Sequence, residues 1–96
     1  MIVTLRPDAQ ADLADAARWY EEQRQGLGGK LLDEVVRTLG LIAENPLSHP
    51  RVLKELRRAV IRRFPFCVFY LIEDDGIVVV AMLHAHRDPA RWKERV

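Results

Sequence analysis

The sequence predicts an α+β fold in which a helical hairpin packs on a small, mainly antiparallel sheet of four strands, in the order β-α-α-β-β-β. Three observations predict it. A short extended start precedes two segments with helical apolar spacing, and the chain then changes to the apolar runs of strands. The last two runs flank an acidic turn that contains glycine, as in a β-hairpin. With 96 residues, the chain is expected to form one domain, residues 1–96, around one core.

The first half of the chain predicts one strand and two helices. Residues 2–5 form the expected strand, which ends at Pro7. Asp8 is expected to cap the first helix, because its carboxylate can accept hydrogen bonds from the free N–H groups of the first turn. The apolar stripe of this helix is Ala9, Leu13, Ala16, Ala17 and Tyr20. Glycines at 26, 28 and 29 break the pattern, and the second helix ends near Asn45-Pro46 with the stripe Leu32, Val35, Val36, Leu39, Ile42 and Ala43.

The second half predicts three strands that form an antiparallel meander. Residues 56–61 are an arginine-rich strand near a sheet edge, and residues 66–72 and 77–83 are apolar enough to be the central strands. Pro65 belongs at a strand entry, because proline cannot donate to a ladder. Asp75-Gly76 favours a tight type I′ turn, and the lone Cys67 is expected in the core. Residues 88–96 are expected to form a last helical turn or a flexible tail.

Charge is distributed unevenly along the chain. Residues 1–48 hold five Lys or Arg against eight Asp or Glu, a net −3, whereas residues 49–96 hold ten against six, a net +4. The contrast is sharpest over residues 51–63, which carry six cations and only Glu55. This basic segment favours phosphates or an acidic protein partner, with an ordinary solvated face as the alternative. Arg58 and Arg62, four apart in a strand, are expected to share one face with Leu56 and Val60.

Two histidines, His84 and His86, close the last predicted strand and share a face. With His49 they give only three candidate ligands and no supporting Cys pair, so local hydrogen bonding is expected rather than a metal site, and no cofactor is expected. Asp88 is expected to cap the last turn and to pair with Arg87 or Arg91.

The aromatic residues outside the strands are expected to pack rather than to react. Trp19 and Trp92 are interpreted as packing residues, with contact to a partner as the alternative for Trp92 near the chain end. Tyr20, on the helical stripe, is interpreted as core. No apolar run is long enough to span a bilayer and no signal-peptide core is present, so a soluble cytoplasmic protein is expected.

Four stretches together resemble the RelE/ParE superfamily of bacterial type II toxins. They are LRPDA at residues 5–9, WYE at 19–21, RRFPFCVFY at 62–70 and LHAHRDPARW at 83–92, in the element order given above. The resemblance covers nearly the whole chain. It implies a toxin that is neutralised by a cognate antitoxin whose C-terminal segment wraps it, and a complex that binds operator DNA only through the antitoxin.

The superfamily divides into two mechanisms, and the resemblance favours one of them. RelE-like toxins cut mRNA in the ribosome, whereas ParE-like toxins poison DNA gyrase and are not themselves catalytic. The ending His84-x-x-Arg87-Asp88-Pro89 with Trp92 resembles the ParE-like branch, and no Tyr follows Tyr70 as RelE-like nucleases often have. We therefore expect a gyrase inhibitor, with a RelE-like endoribonuclease acting on ribosome-bound mRNA or an inactive antitoxin-binding relative as alternatives.

The candidate site residues depend on the mechanism. A nuclease needs an acid, a base and positive charge at the phosphate, for which the candidates are Lys54, Arg58, Arg62, His84 and Arg87. For binding the antitoxin or the target, the candidates are Arg57, Arg58, Arg62, Arg63, His86, Arg87 and Trp92. A stand-alone DNA-binding module is disfavoured, because neither long helix is basic.

Overall fold

The computed structural model describes residues 1–85 and 89–95. The elements are β1 (Ile2–Leu5), α1 (Pro7–Gln23), α2 (Leu27–Glu44), a 3₁₀ turn (Pro46–Ser48), β2 (Arg51–Leu53), β3 (Leu56–Val60), β4 (Phe66–Glu73), β5 (Gly76–His84) and α3 (Pro89–Lys93). The predicted α+β class and helical hairpin are confirmed. The predicted strand count is wrong, because the described part of the chain forms a five-stranded sheet in the order β1-β5-β4-β3-β2. The added strand β2 has three residues, too few to show a period of two in the sequence.

The sheet is mainly antiparallel, as predicted, and β4 and β5 are its central strands. Only the β1–β5 pairing is parallel among the described pairings, with Ile2 opposite Gly76 and Leu5 opposite Val79. β4 begins directly after Pro65, and Cys67 within it is buried, so both of those predictions are confirmed. No helix in the described part of the chain is long and apolar enough to cross a membrane.

Two apolar clusters cover the two faces of the sheet. The helical hairpin packs on one face, which we call the helical face, and its cluster includes Ala9, Ala16, Leu31, Val35, Ile42, Ala59, Ile61, Phe64, Val68, Tyr70, Ile77, Val79 and Met82. The opposite face, which we call the outer face, carries Leu56, Cys67, Phe69, Val80, Ala81, Leu83 and Trp92. The short helix α3 covers part of the outer face by stacking Trp92 on Phe69, with ring centroids 4.9 Å apart. The last helical turn and the packing of Trp92 are therefore confirmed.

The start of α1 differs from the prediction. Pro7 is the first residue of the helix and Arg6 precedes it, so Asp8 lies in the first turn and is not the cap. Proline favours the first helical position, because its fixed φ suits the helix and its missing N–H would be unpaired there anyway. The helix consequently begins one residue earlier than the carboxylate of Asp8 indicated.

The buried face of α2 is rotated from the predicted stripe. Leu31 is fully buried, whereas the predicted stripe residues Leu32 and Val36 are 42% and 68% exposed. The contact with α1 sets this rotation: a Cβ at Gly28 would lie 2.6 Å from the carbonyl oxygen of Ala17. Because the two helices touch at Gly28, the residues in line with it point inwards.

The hairpin turn between β4 and β5 also differs from the prediction. Glu73 pairs with Gly76, so the two turn residues are Asp74 and Asp75. A type I′ turn needs positive φ at both central residues, and among the described non-glycine residues only Lys54 and Arg63 have it. Gly76 is needed for another reason: its φ is 150°, and a Cβ there would lie 2.4 Å from the carbonyl oxygen of Ile2 in β1.

Candidate partner-binding site

Arg58 lies on the outer face of the sheet. It is half-buried in β3 opposite Phe69, and its Nε is buried without a hydrogen-bond partner in the described part of the chain. Its charge acts on Cys67, whose thiol pKa is raised by burial and only partly lowered by this guanidinium. Arg58 is therefore a cation set into an apolar face.

Arg62 does not share that face, so the expectation that Arg58 and Arg62 project together is wrong. β3 ends at Val60, and Arg62 lies in the following turn. Its Nη2 is 3.5 Å from Oε2 of Glu34 in α2, on the helical side of the sheet. The alternation of a strand no longer applies once the strand has ended.

The remaining nuclease candidates lie apart from Arg58. His84 ends β5, with its ring centroid 5.9 Å from that of Phe66, and borders a notch against Trp19 of α1 on the helical side. Lys54 is exposed in the β2–β3 turn with a φ of 50°. Arg87 and His86, as well as the expected cap Asp88, lie outside the described residues. The described candidates for RNA cleavage therefore do not converge on one point.

The guanidinium of Arg57 forms hydrogen bonds with backbone groups of its own chain. Its Nη1 donates to the carbonyl oxygens of His49, at 2.6 Å, and Leu47, at 3.3 Å. Burial, followed by the Arg57 charge, lowers the pKa of His49. Tyr70 also ties down this segment, since its hydroxyl donates to the carbonyl oxygen of Pro46 at 2.6 Å. Arg57 thus fixes the chain after α2, while Trp92, buried against Phe69, offers little surface to a partner.

A groove lies where the end of α1, the start of α2 and the β3–β4 turn meet. Its volume is about 470 Å³, and its lining is Tyr20, Arg24, Leu27, Lys30, Asp33, Glu34, Arg63, Phe64 and Pro65. Tyr20 and Phe64 form the aromatic part, with centroids 5.0 Å apart and rings nearly perpendicular. We call this surface the Tyr20 groove.

The Tyr20 groove combines an apolar lining with charged walls. Arg24, Lys30 and Arg63 line it, and Arg62 lies beside it on Glu34, so four cations stand against the two carboxylates Asp33 and Glu34. Arg63 holds a φ of 72°, a left-handed conformation that costs a non-glycine residue about 1 kcal/mol. Glu34 is buried, and its Oε1 has no hydrogen-bond partner among the described residues. The groove therefore offers apolar contact and excess positive charge.

Residues 3–89 match the family model described as the ParE toxin of type II toxin-antitoxin system, parDE. The chain belongs to this family. Its fold is similar to a solved structure described as the chromosomal ParDE TA system from P. aeruginosa, with a TM-score of 0.77 and 17% sequence identity over 90% of this chain and 97% of that one. No curated protein sequence matches the chain. The protein is thus the toxin component of a type II toxin-antitoxin system, and a cognate antitoxin is its partner.

The basic segment of the sequence contains only part of this toxin's Tyr20 groove. Arg62 and Arg63 belong to that segment, but Arg24 and Lys30 lie in the acidic half of the chain. Their proximity depends on the hairpin bringing the end of α1 to the β3–β4 turn. Trp19, interpreted as a packing residue, contacts Tyr20 edge-on at 5.0 Å but is 54% exposed, so it packs at the surface and not in the core. No local pattern distinguishes it from a buried tryptophan on the same helix.

Proposed function

We propose that this ParE-family toxin inhibits DNA gyrase and that it does so by binding, without catalysing a reaction itself. The observation that carries the proposal is the separation of the nuclease candidates. RNA cleavage requires proton transfer and charge stabilisation at one phosphate, yet Arg58 lies on the outer face whereas Arg62 and His84 lie on the helical side. A binding mechanism has no such requirement, since its contacts can be spread over a surface.

The site for the cognate antitoxin, in this proposal, is the Tyr20 groove. An extended or helical antitoxin segment places an apolar side chain against Tyr20 and Phe64 and acidic side chains near Arg24, Lys30 and Arg63. The groove should also attract an acidic antitoxin segment electrostatically, because four cations outnumber two carboxylates there.

The experiment is an assay with purified gyrase, supercoiled plasmid and ATP. Added toxin is expected to increase the amount of DNA that is cleaved when the enzyme is denatured and digested, and an equimolar amount of antitoxin is expected to prevent the increase. The mRNA in a purified translation system should remain intact when the toxin is added. The proposal is overturned if the toxin leaves gyrase unaffected and cuts ribosome-bound mRNA instead. In that case His84→Ala and Arg87→Ala should abolish the cutting while antitoxin binding persists. Inactivity in both assays, with the antitoxin still bound, would identify an inactive relative.

A further inference from the structure

The outward face of α2 carries apolar side chains that nothing in the described chain covers. Leu32 is 42% exposed and Val36 is 68% exposed. Gly29, Gly40 and Ala43 lie on the same face, because successive members of the series 29, 32, 36, 40 and 43 are three or four residues apart. We call this surface the Val36 face. It is distinct from the Tyr20 groove, although Asp33 borders both.

Neither the contacts nor the backbone angles of the described chain require glycine at the two glycine positions of the Val36 face. A Cβ at Gly29 or at Gly40 would meet nothing within 4 Å, and neither residue has a positive φ. A glycine within a helix is less favourable than an alanine, because it loses more backbone entropy on folding. Glycines at the surface of a helix permit another backbone to approach closely. Within the described part of the toxin, no other backbone approaches Gly29 or Gly40 in this way.

We propose that the Val36 face binds the same face of a second copy of this chain, with the two α2 helices antiparallel across a two-fold axis at Val36. The intervals along the face are three, four, four and three residues, so the series is the same in both directions about Val36. In an antiparallel pair centred there, Leu32 lies opposite Gly40 of the second copy, and Gly29 lies opposite Ala43. Each exposed leucine then faces the space of a glycine, as a self-complementary two-fold interface requires.

The charges beside the Val36 face select the same arrangement. Asp33 and Arg37 lie on one flank of the face, and neither forms an ion pair within the described residues. In the antiparallel pair, Asp33 of each copy lies near the level of Arg37 of the other, which gives two ion pairs related by the axis. A parallel pair about a two-fold axis would instead put the flanks with Asp33 and Arg37 on opposite sides of the contact, where these ion pairs cannot form.

The predicted dimer is small and therefore reversible. It is built mainly from two 18-residue helices, so we expect it to bury no more than the low end of the about 1,200–2,000 Å² that specific interfaces bury. The toxin should accordingly pass from monomer to dimer with rising concentration. The Tyr20 groove remains open in this dimer, so each copy can still bind an antitoxin segment.

Sedimentation equilibrium of the full-length toxin, separated from its antitoxin and refolded, tests the interface. Wild type should show a monomer–dimer equilibrium, and Val36→Glu should weaken dimerisation more than tenfold because it places two carboxylates on the axis. Val60→Glu is the matched control: Val60 is 64% exposed but lies in β3, so its dimerisation should equal that of wild type. A wild type that stays monomeric at the highest attainable concentration overturns the proposal, as does equal weakening by both variants.

A charge exchange tests the orientation of the helices. Asp33→Arg and Arg37→Asp should each weaken dimerisation several-fold, and the double variant should restore it, because the pairs then re-form with the charges reversed. Circular dichroism and a cooperative thermal unfolding transition confirm that each variant folds. Failure of the double variant to recover, with its fold intact, contradicts the antiparallel pairing.

Disulfide trapping tests the position of the axis. Val36→Cys should form a covalent dimer on mild oxidation, whereas Val60→Cys should not, and the native Cys67 is buried and does not compete. If Val36→Cys fails to cross-link in the free toxin and the antitoxin protects this position from alkylation, the Val36 face belongs to the antitoxin and the proposed dimer is wrong.

Discussion

Arg95, two residues beyond α3, forms a two-point ion pair with Asp12 of α1: Nη1 lies 2.5 Å from Oδ2 and Nη2 lies 3.0 Å from Oδ1. Oδ2 of Asp12 also accepts the backbone N–H of Met82 at 2.9 Å, and Nη1 of Arg95 donates to the carbonyl oxygen of Val80 at 3.1 Å. The hydrogen bond to Asp12 raises the pKa of Arg95. This pair joins α1, β5 and the C-terminal segment, and it keeps Trp92 on the outer face.

Replacing Asp12 should therefore destabilise the toxin. The side chain of Asp12 is almost fully buried and that of Arg95 mostly so. Without Asp12, the Arg95 guanidinium keeps only the exposed carboxylate of Asp8, 3.9 Å from its Nε, as an ionic partner among the described residues. Asp12→Asn should lower the free energy of unfolding by about 3 kcal/mol. Asp15→Asn, in the exposed pair with Arg18, should change it by less than about 0.5 kcal/mol. Urea unfolding followed by tryptophan fluorescence measures both, and equal effects would contradict the role given to Asp12.

Gly76 should not tolerate a side chain. Gly76→Ala combines a φ of 150° with a Cβ 2.4 Å from the backbone oxygen of Ile2, so β1 has to move or the residue has to change conformation. The expected loss in the free energy of unfolding is more than about 2 kcal/mol. Asp75→Ala, one residue earlier in the exposed turn, should be nearly neutral. A Gly76→Ala protein as stable as wild type would show that β1 does not lie on Gly76 in solution.

His49 should make stability depend on pH. Its pKa is lowered in the folded protein, first by burial and then by Arg57, from an ordinary value of 6.5. The unfolded chain therefore takes up the proton more readily, so this contribution to stability is complete above pH 6.5 and is lost as the pH falls towards the lower folded value. His49→Gln should flatten the decline in stability between about pH 7 and pH 5. Thermal unfolding at a series of pH values in this range measures the pH dependence of stability. The same pH dependence in the variant as in wild type would contradict the environment assigned to His49.

The Tyr20 groove should determine antitoxin affinity. Arg63→Glu reverses a charge in the groove and should weaken antitoxin binding by about tenfold or more. Arg18→Glu provides a control on the exposed surface of α1, where its partner is Asp15, and should change the affinity much less. Isothermal titration of each toxin variant with the antitoxin gives both values. If the two variants bind equally well, the antitoxin contacts another surface.

The order of elements could be predicted because buried strands and helices require apolar residues at characteristic spacings in the sequence. The runs that became β4 and β5 are apolar on both faces, as central strands must be, and Pro65 fits only at a strand entry. The face of α2 could not be predicted in the same way. Leu31 and Leu32, like Val35 and Val36, are adjacent apolar residues, and only the contact at Gly28 decides which of each pair is buried.

The candidate site was predicted only where its residues are neighbours in the chain. Arg62 and Arg63 stood out in the basic segment, yet Arg62 turns to Glu34 because β3 ends before it. Asp12 and Arg95 are 83 residues apart, so no spacing rule connects them.

Controlled expression of this toxin in bacteria tests the central claim most directly, with chromosomal DNA breaks, protein synthesis and mRNA integrity followed in parallel from the moment of induction. The account predicts that gyrase-dependent DNA breaks and filamentous growth appear first, while translation continues and messages stay intact, and that co-expressed antitoxin prevents both effects. A prompt arrest of translation with cut mRNA, before any DNA damage, would contradict it.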